Sequence, residues 1–250
     1  MTPTLLILGG TTEASALARA VSERGIRAVF SYAGRTRTPR VQPLPQRVGG
    51  FGGVAGLVQY LRDTGVTHVV DATHPFAAAM SRNAIEACAR TDVHLAALTR
   101  PAWQPQPGDD WHRVPDIPGA VAALNGPGRR VLLALGRLHL TGFADHPQHH
   151  YVLRMVDEPD RPPLPDCAVV VARGPFTQAG DMALMQAHGV DLVVSKNSGG
   201  DGARAKIDAA RRLKLPVVMI DRPVVPARRE LSSPDQVLGW LDHCDTDRGV

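Results

Sequence analysis

Gly9-Gly10-Thr11-Thr12-Glu13 follows the apolar run Leu5-Leu6-Ile7-Leu8 and leads into Ala14, Ala16, Leu17 and Ala20, a helical pattern. A strand, a tight glycine turn and a helix start in this order suit a pyrophosphate. Free backbone N–H groups at the helix start favour its charge, and glycine lets the backbone come close. The run departs from G-x-G-x-x-G, with Thr11 at the middle glycine and Ala14 at the last. Alone it fits either dinucleotide binding or a turn that needs glycine for its geometry. The next strand ends Val29-Phe30-Ser31-Tyr32-Ala33-Gly34-Arg35, with a hydroxyl and a guanidinium where an NAD site carries Asp or Glu on the ribose hydroxyls. That favours NADP. Arg35, Arg37 and Arg40 share one loop, so either Arg35 or Arg37 could clamp a 2'-phosphate while another faces the substrate. A third loop, Asp71-Ala72-Thr73-His74-Pro75-Phe76, follows Val69-Val70. Pro75 biases His74 toward an extended conformation and can start the following helix, which displays Thr73 and His74 where a nicotinamide ring is approached. His74 then either positions the ring or a substrate carboxylate, or is satisfied within a tight turn.

A cation follows six of the expected strands: Arg35, Arg100, Arg137, Arg173, Lys196 and Arg222. Ligands of open parallel sheets bind beyond the carboxyl ends of the strands, so such a crest implies a cofactor and substrate carrying many negative charges. Arg173-Gly174-Pro175-Phe176 adds an aromatic face, which can lie against a planar ligand or fill the base of its loop. Ser195-Lys196-Asn197-Ser198-Gly199-Gly200 combines donors with glycines ahead of a helix bearing Lys206, a composition suited to an anion nest.

Other chemistries lack their residues. Tyr32, Tyr60 and Tyr151 are followed four residues later by Thr36, Thr64 and Met155, so the Tyr-x-x-x-Lys proton relay of short-chain reductases is excluded. No G-x-S-x-G elbow and no Walker A lysine loop occurs. His146, His149 and His150 read as a solvated turn rather than a metal site. Cys88, Cys167 and Cys244 are odd in number and far apart, which suggests buried free thiols.

The elements that must position these loops alternate from the start. Strands are expected at 4–8, 28–31, 68–71 and 95–99, with helices at 13–24, 54–62 and 77–90. A connection rich in proline spans 101–111. The rhythm then resumes with strands at 130–135, 151–154, 168–172, 192–195 and 217–220, helices at 177–188 and 203–213, and a last helix opened by Ser233-Pro234-Asp235. The fold class is therefore α/β with mainly parallel sheets, as a first domain over 1–100, a linker over 101–111 and a second domain over 112–250. The 250 residues are 44% hydrophobic, enough for two modest cores. All but three of the 28 Lys and Arg side chains are arginine, which suits carboxylate and phosphate pairing. The net charge of +4 is dispersed, so nucleic acid is not expected as a partner. No apolar run reaches the roughly 20 residues of a membrane span, and Met1-Thr2-Pro3 carries no basic leader, so a cytoplasmic protein is expected.

Taken in order, Gly9-Gly10-Thr11-Thr12-Glu13, Ser31-Tyr32-Ala33-Gly34-Arg35, Pro39-Arg40, the stretch from Asp71 to Ala77, Arg173-Gly174-Pro175-Phe176 and the 195–200 loop make the chain resemble the precorrin-6A reductase family of corrin-ring biosynthesis. The resemblance implies two Rossmann-like domains with an active-site cleft between them. It also implies NADPH as hydride donor to one carbon of a macrocycle double bond, with a proton added at the neighbouring carbon. On that reading Gly9, Gly10, Thr11 and Thr12 hold the pyrophosphate, Glu13 completes the cofactor-binding turn, and Ser31 and Arg35 read the 2'-phosphate. Thr73 and His74 border the nicotinamide as the catalytic pair, while Arg40, Arg137, Arg173, Lys196 and Ser198 hold the carboxylates of a tetrapyrrole. No residue marks itself as proton donor, and Ala134-Leu135-Gly136-Arg137 lacks a hydroxyl expected before Gly136. Transient contacts with neighbouring pathway enzymes are a further expectation. Two other readings remain open: an NADPH reductase of another polycarboxylate, and a dinucleotide-sensing module without activity.

Overall fold

The computed structural model describes residues 3–34 and 39–244. In chain order the elements are β1 (Thr4–Leu8), α1 (Thr12–Glu23), β2 (Arg27–Tyr32), β3 (Gln46–Val48), α2 (Gly53–Thr64), β4 (His68–Asp71), α3 (Ala78–Thr91) and β5 (His94–Leu98). There follow β6 (Trp111–Val114), α4 (Ile117–Ala122), β7 (Arg130–Ala134), β8 (His150–Met155), β9 (Cys167–Val171) and α5 (Gln178–Ala187). The chain continues through β10 (Leu192–Lys196), α6 (Ala205–Leu213), β11 (Val217–Ile220), β12 (Arg229–Leu231) and α7 (Pro234–Cys244). Among the described residues two six-stranded sheets result, ordered β12-β5-β4-β1-β2-β3 and β6-β11-β10-β7-β8-β9, with every pairing parallel.

The chain divides into two compact units, one formed by the described parts of Met1–Arg100 and Val224–Val250, the other by Pro101–Pro223. This differs from the expectation that 112–250 forms the second domain behind a linker. Trp103, inside the supposed linker, is buried in the second unit's core, and Trp111 opens β6. At the other end β12 pairs with β5 of the first sheet. The apolar stripe Val237, Trp240 and Leu241 of α7 needed a partner, and it finds one in the fully buried face of α1, at Ala14, Leu17, Ala18 and Val21.

In the first unit α1 and α7 cover one face of the sheet. Leu57 and Leu61 of α2 and Ala84, Ala87 and Cys88 of α3 cover the other. β1 is central because Leu5, Leu6, Ile7 and Leu8 are apolar on both faces, the mark of a parallel strand buried on two sides. From β1 the chain steps outward to β2 and β3, then returns to β4 on the opposite side. That reversal opens a crevice at the carboxyl ends of β1 and β4, the place where doubly wound sheets bind ligands. The second unit repeats the device, with β8 on one side of β7 and β10 on the other. The switch point there falls beyond β7 and β10.

Candidate functional site

The first loop is built for close approach. Gly9 sits over the ring of Phe30, where an added Cβ would lie 2.1 Å from two ring carbons. Gly10 adopts φ +135°, and open space lies where its Cβ would project, so the backbone there can meet a ligand at contact distance. Thr11 is the N-cap of α1: its hydroxyl accepts from the Ala14 N–H at 3.1 Å and donates to the Ala72 carbonyl at 2.9 Å. That second bond ties the loop after β1 to the loop after β4. With the Thr11 side chain engaged in this way, the turn offers a phosphate mainly backbone N–H groups. Thr12 Oγ1 donates to Glu13 Oε2 at 3.1 Å, and Glu13 forms an ion pair with Arg100, so part of the charge of Arg100 is neutralised within the unit.

Arg35 and Arg37 lie outside the described residues. Ser31 is buried at the end of β2, and its hydroxyl accepts from Arg47 Nη1 at 2.8 Å. Arg47 also donates to the carbonyls of Gly49 and Gly50 at 3.0 and 3.1 Å, and its Cζ lies 3.7 Å from the centre of the Phe51 ring. Sequence reasoning missed Arg47. The available signal was Gly49-Gly50-Phe51-Gly52-Gly53, four glycines around one aromatic, three of them at positive φ. Arg40 is exposed, and its carbonyl accepts from the Tyr32 hydroxyl at 2.8 Å.

The loop after β4 is organised by Asp71, which is 2% exposed. Its Oδ1 accepts from the Thr73 N–H at 3.1 Å and the Thr73 hydroxyl at 2.6 Å. Its Oδ2 accepts from Ser81 Oγ at 2.6 Å and Arg228 Nη1 at 2.7 Å. His74 accepts the Phe76 N–H at Nδ1, 3.2 Å away. Burial, with Asp71 beside it, pushes the Cys88 thiol up to about 12, so this sulfur stays protonated at neutral pH and is no nucleophile.

In the second unit Arg137 opens a short 3-10 helix after β7 and is exposed. Arg173 is also exposed, 3.9 Å from Asp157. Phe176 carries the Arg154 guanidinium 3.8 Å from its ring centre, so this aromatic is stacked within the unit's own structure. Arg154 in turn forms a buried ion pair with Asp181. The 195–200 loop is rigidly held. Asn197 accepts the Trp103 N–H at 2.8 Å and donates to the Trp103 carbonyl at 3.0 Å, Trp103 Nε1 donates to Gly200 O at 2.8 Å, and Arg222 donates to the carbonyls of Asn197 and Ser198 at 3.0 and 3.1 Å. Lys196 and Ser198 are buried, 8% and 6% exposed. Arg222, counted in the crest of cations, holds this loop together. The histidine cluster differs from the solvated turn expected of it: His149 is 1% exposed, accepting the Arg129 N–H at 3.0 Å and lying 2.8 Å from the Leu124 carbonyl. Among the described residues no group of three or more His, Cys, Asp or Glu could hold a metal, and no helix is long and apolar enough to cross a membrane.

Residues 4–242 match the family model described as precorrin-6x reductase CbiJ/CobK. A protein named precorrin-6A reductase from Rhodobacter capsulatus is 58% identical, over 98% of this chain and 99% of that one. Another of the same name, from a Sinorhizobium species, is 47% identical over 96% and 93%. A solved structure titled CobK precorrin-6A reductase superposes with a TM-score of 0.93 at 57% identity, covering 99% of this chain and 98% of that one.

Proposed function

Because the chain belongs to the precorrin-6x reductase family, we propose that it reduces precorrin-6A to precorrin-6B in cobalamin biosynthesis with NADPH as the reductant. The agreement of fold and sequence over nearly the full length carries this reading. A reductase of this kind draws on a nicotinamide cofactor, and the first unit fits one: a glycine turn open over Gly10, a capped helix start, and the switch point between the loops after β1 and β4. Bound NADPH would supply a hydride to one carbon of the ring double bond, the neighbouring carbon gaining a proton.

Gly9 to Thr12 then cradle the pyrophosphate, and Thr73 and His74 border the nicotinamide. The 2'-phosphate falls to Ser31 with Arg35 or Arg37, and to Arg47, whose guanidinium already rests on the Ser31 hydroxyl. In the second unit, exposed Arg137 and Arg173 are suited to pair carboxylates, while buried Lys196 and Ser198 act from within a fixed loop. Hydride transfer asks the protein chiefly for position. Loss of NADPH absorbance on adding precorrin-6A to the purified protein checks the reaction.

The cofactor choice has its own test. Arg47→Ala is expected to weaken NADPH binding by roughly 10- to 100-fold, the worth of one or two charge-assisted hydrogen bonds, and NADH binding by less than about threefold. Titration of both cofactors by nicotinamide fluorescence reads this out. Equal weakening of both would remove Arg47 from the phosphate site.

A further inference from the structure

Thr73 lies at the carboxyl ends of the strands, lining one hollow with Thr11, Thr99 and Arg100. A threonine hydroxyl has one hydrogen and two lone pairs. The hydrogen of Thr73 is committed to Asp71 Oδ1 at 2.6 Å, and the backbone N–H of the same residue is committed to the same oxygen. Asp71 is itself fixed from the other side by Ser81 of α3 and by Arg228, which arrives on the segment before β12. That segment is further tied by Arg82 Nη2, which donates to Val224 O at 2.7 Å. Toward any other molecule Thr73 Oγ1 therefore presents lone pairs.

We infer that Asp71 is a positioning residue that makes Thr73 an obligate acceptor for the carboxamide N–H of the nicotinamide ring, with Ser81 and Arg228 holding the carboxylate in place. The carboxamide is the chemistry that fits, because its nitrogen is the ring's one hydrogen-bond donor group. Substrate carboxylates carry lone pairs and would be repelled by another acceptor. For the same reason Thr73 does not deliver the proton to the substrate carbon. The inference rests on the proposed placement of the nicotinamide beside Thr73.

The test compares NADP+ with its 3-acetylpyridine analogue, in which a methyl ketone replaces the carboxamide and the N–H donor is gone. Dissociation constants of the two oxidised cofactors are measured by calorimetry for the intact chain and its variants, so no turnover enters the readout. The wild-type chain should bind NADP+ about 3- to 10-fold more tightly than the analogue. Thr73→Val should bring the two constants together and Thr73→Ser should keep them apart. Asp71→Asn, whose amide cannot accept all four donors, should shrink the difference, with its melting temperature followed in parallel. Retained discrimination in Thr73→Val, or none in the wild type, overturns the inference while leaving the cofactor assignment intact. Unchanged discrimination in Asp71→Asn removes Asp71 from it. Failure of the wild type to bind either cofactor defeats the cofactor assignment itself and the inference with it.

Discussion

Asp181→Ala is expected to cost about 3–5 kcal/mol of stability, the range for breaking a buried ion pair from one side. The Arg154 and Asp181 side chains are 9% and 4% exposed, so removing the carboxylate strands a guanidinium with little access to water. The loss spreads to the site, because the same guanidinium stacks on Phe176 and so fixes the loop bearing Arg173. Urea unfolding monitored on the transition of the second unit measures it. Replacing both partners together, Arg154→Met with Asp181→Leu, should recover most of the stability, since no buried charge is then left unpaired. A single-variant change below about 1 kcal/mol would show that the pair is solvated and the loop held by other means.

Gly9→Ala is expected to lower kcat/KM for NADPH by about 100-fold, the scale of a misplacement near 1 Å in a positioned ligand. The new methyl would fall 2.1 Å from the Phe30 ring, and Phe30 is fully buried against Ala14 and Leu17, so the turn must move instead of the ring. Overpacking of this kind also costs about 1–3 kcal/mol of stability. Combining Gly9→Ala with Phe30→Leu makes room for the methyl and should restore part of the affinity. Near-normal kinetics in the single variant would mean that the turn has slack and that the phosphate is held elsewhere.

The elements that sequence reading placed correctly are long or strongly patterned. The strands at 4–8, 68–71 and 217–220 coincide with those observed, and α1, α3 and α5 differ from expectation by a residue or so at each end. The elements it missed are short. β3 has three residues beyond Pro43 and Pro45, and β12 has three after Pro226, so neither offers enough alternation to be recognised. β6 is hidden in sequence because Trp111 closes the proline-rich stretch 101–111 that reads as a connection. These omissions had consequences for the site. Arg47 lies on β3, and Arg228 directly precedes β12, so the cations that grip Ser31 and Asp71 sit on or next to strands without a sequence signal. The return of α7 to the first unit could not be read either, because an apolar stripe states that a helix needs a partner without naming it. The glycine turn, the Thr73 loop and the 195–200 loop were legible because glycine, proline and short polar side chains leave their mark locally. Which basic residues face a ligand and which brace the fold, as Arg222 and Arg154 do, depends on contacts distant in sequence.

Transfer of label tests hydride delivery from NADPH to the macrocycle most directly. NADPH carrying deuterium at the nicotinamide C4 position that donates the hydride is mixed with precorrin-6A and the purified chain under anaerobic conditions, and the product is weighed by mass spectrometry. One deuteron is expected in each molecule of a product two hydrogens richer than the substrate, with one cofactor oxidised per turnover. A reduced product without deuterium, or a substrate unchanged in the presence of bound NADPH, would contradict it.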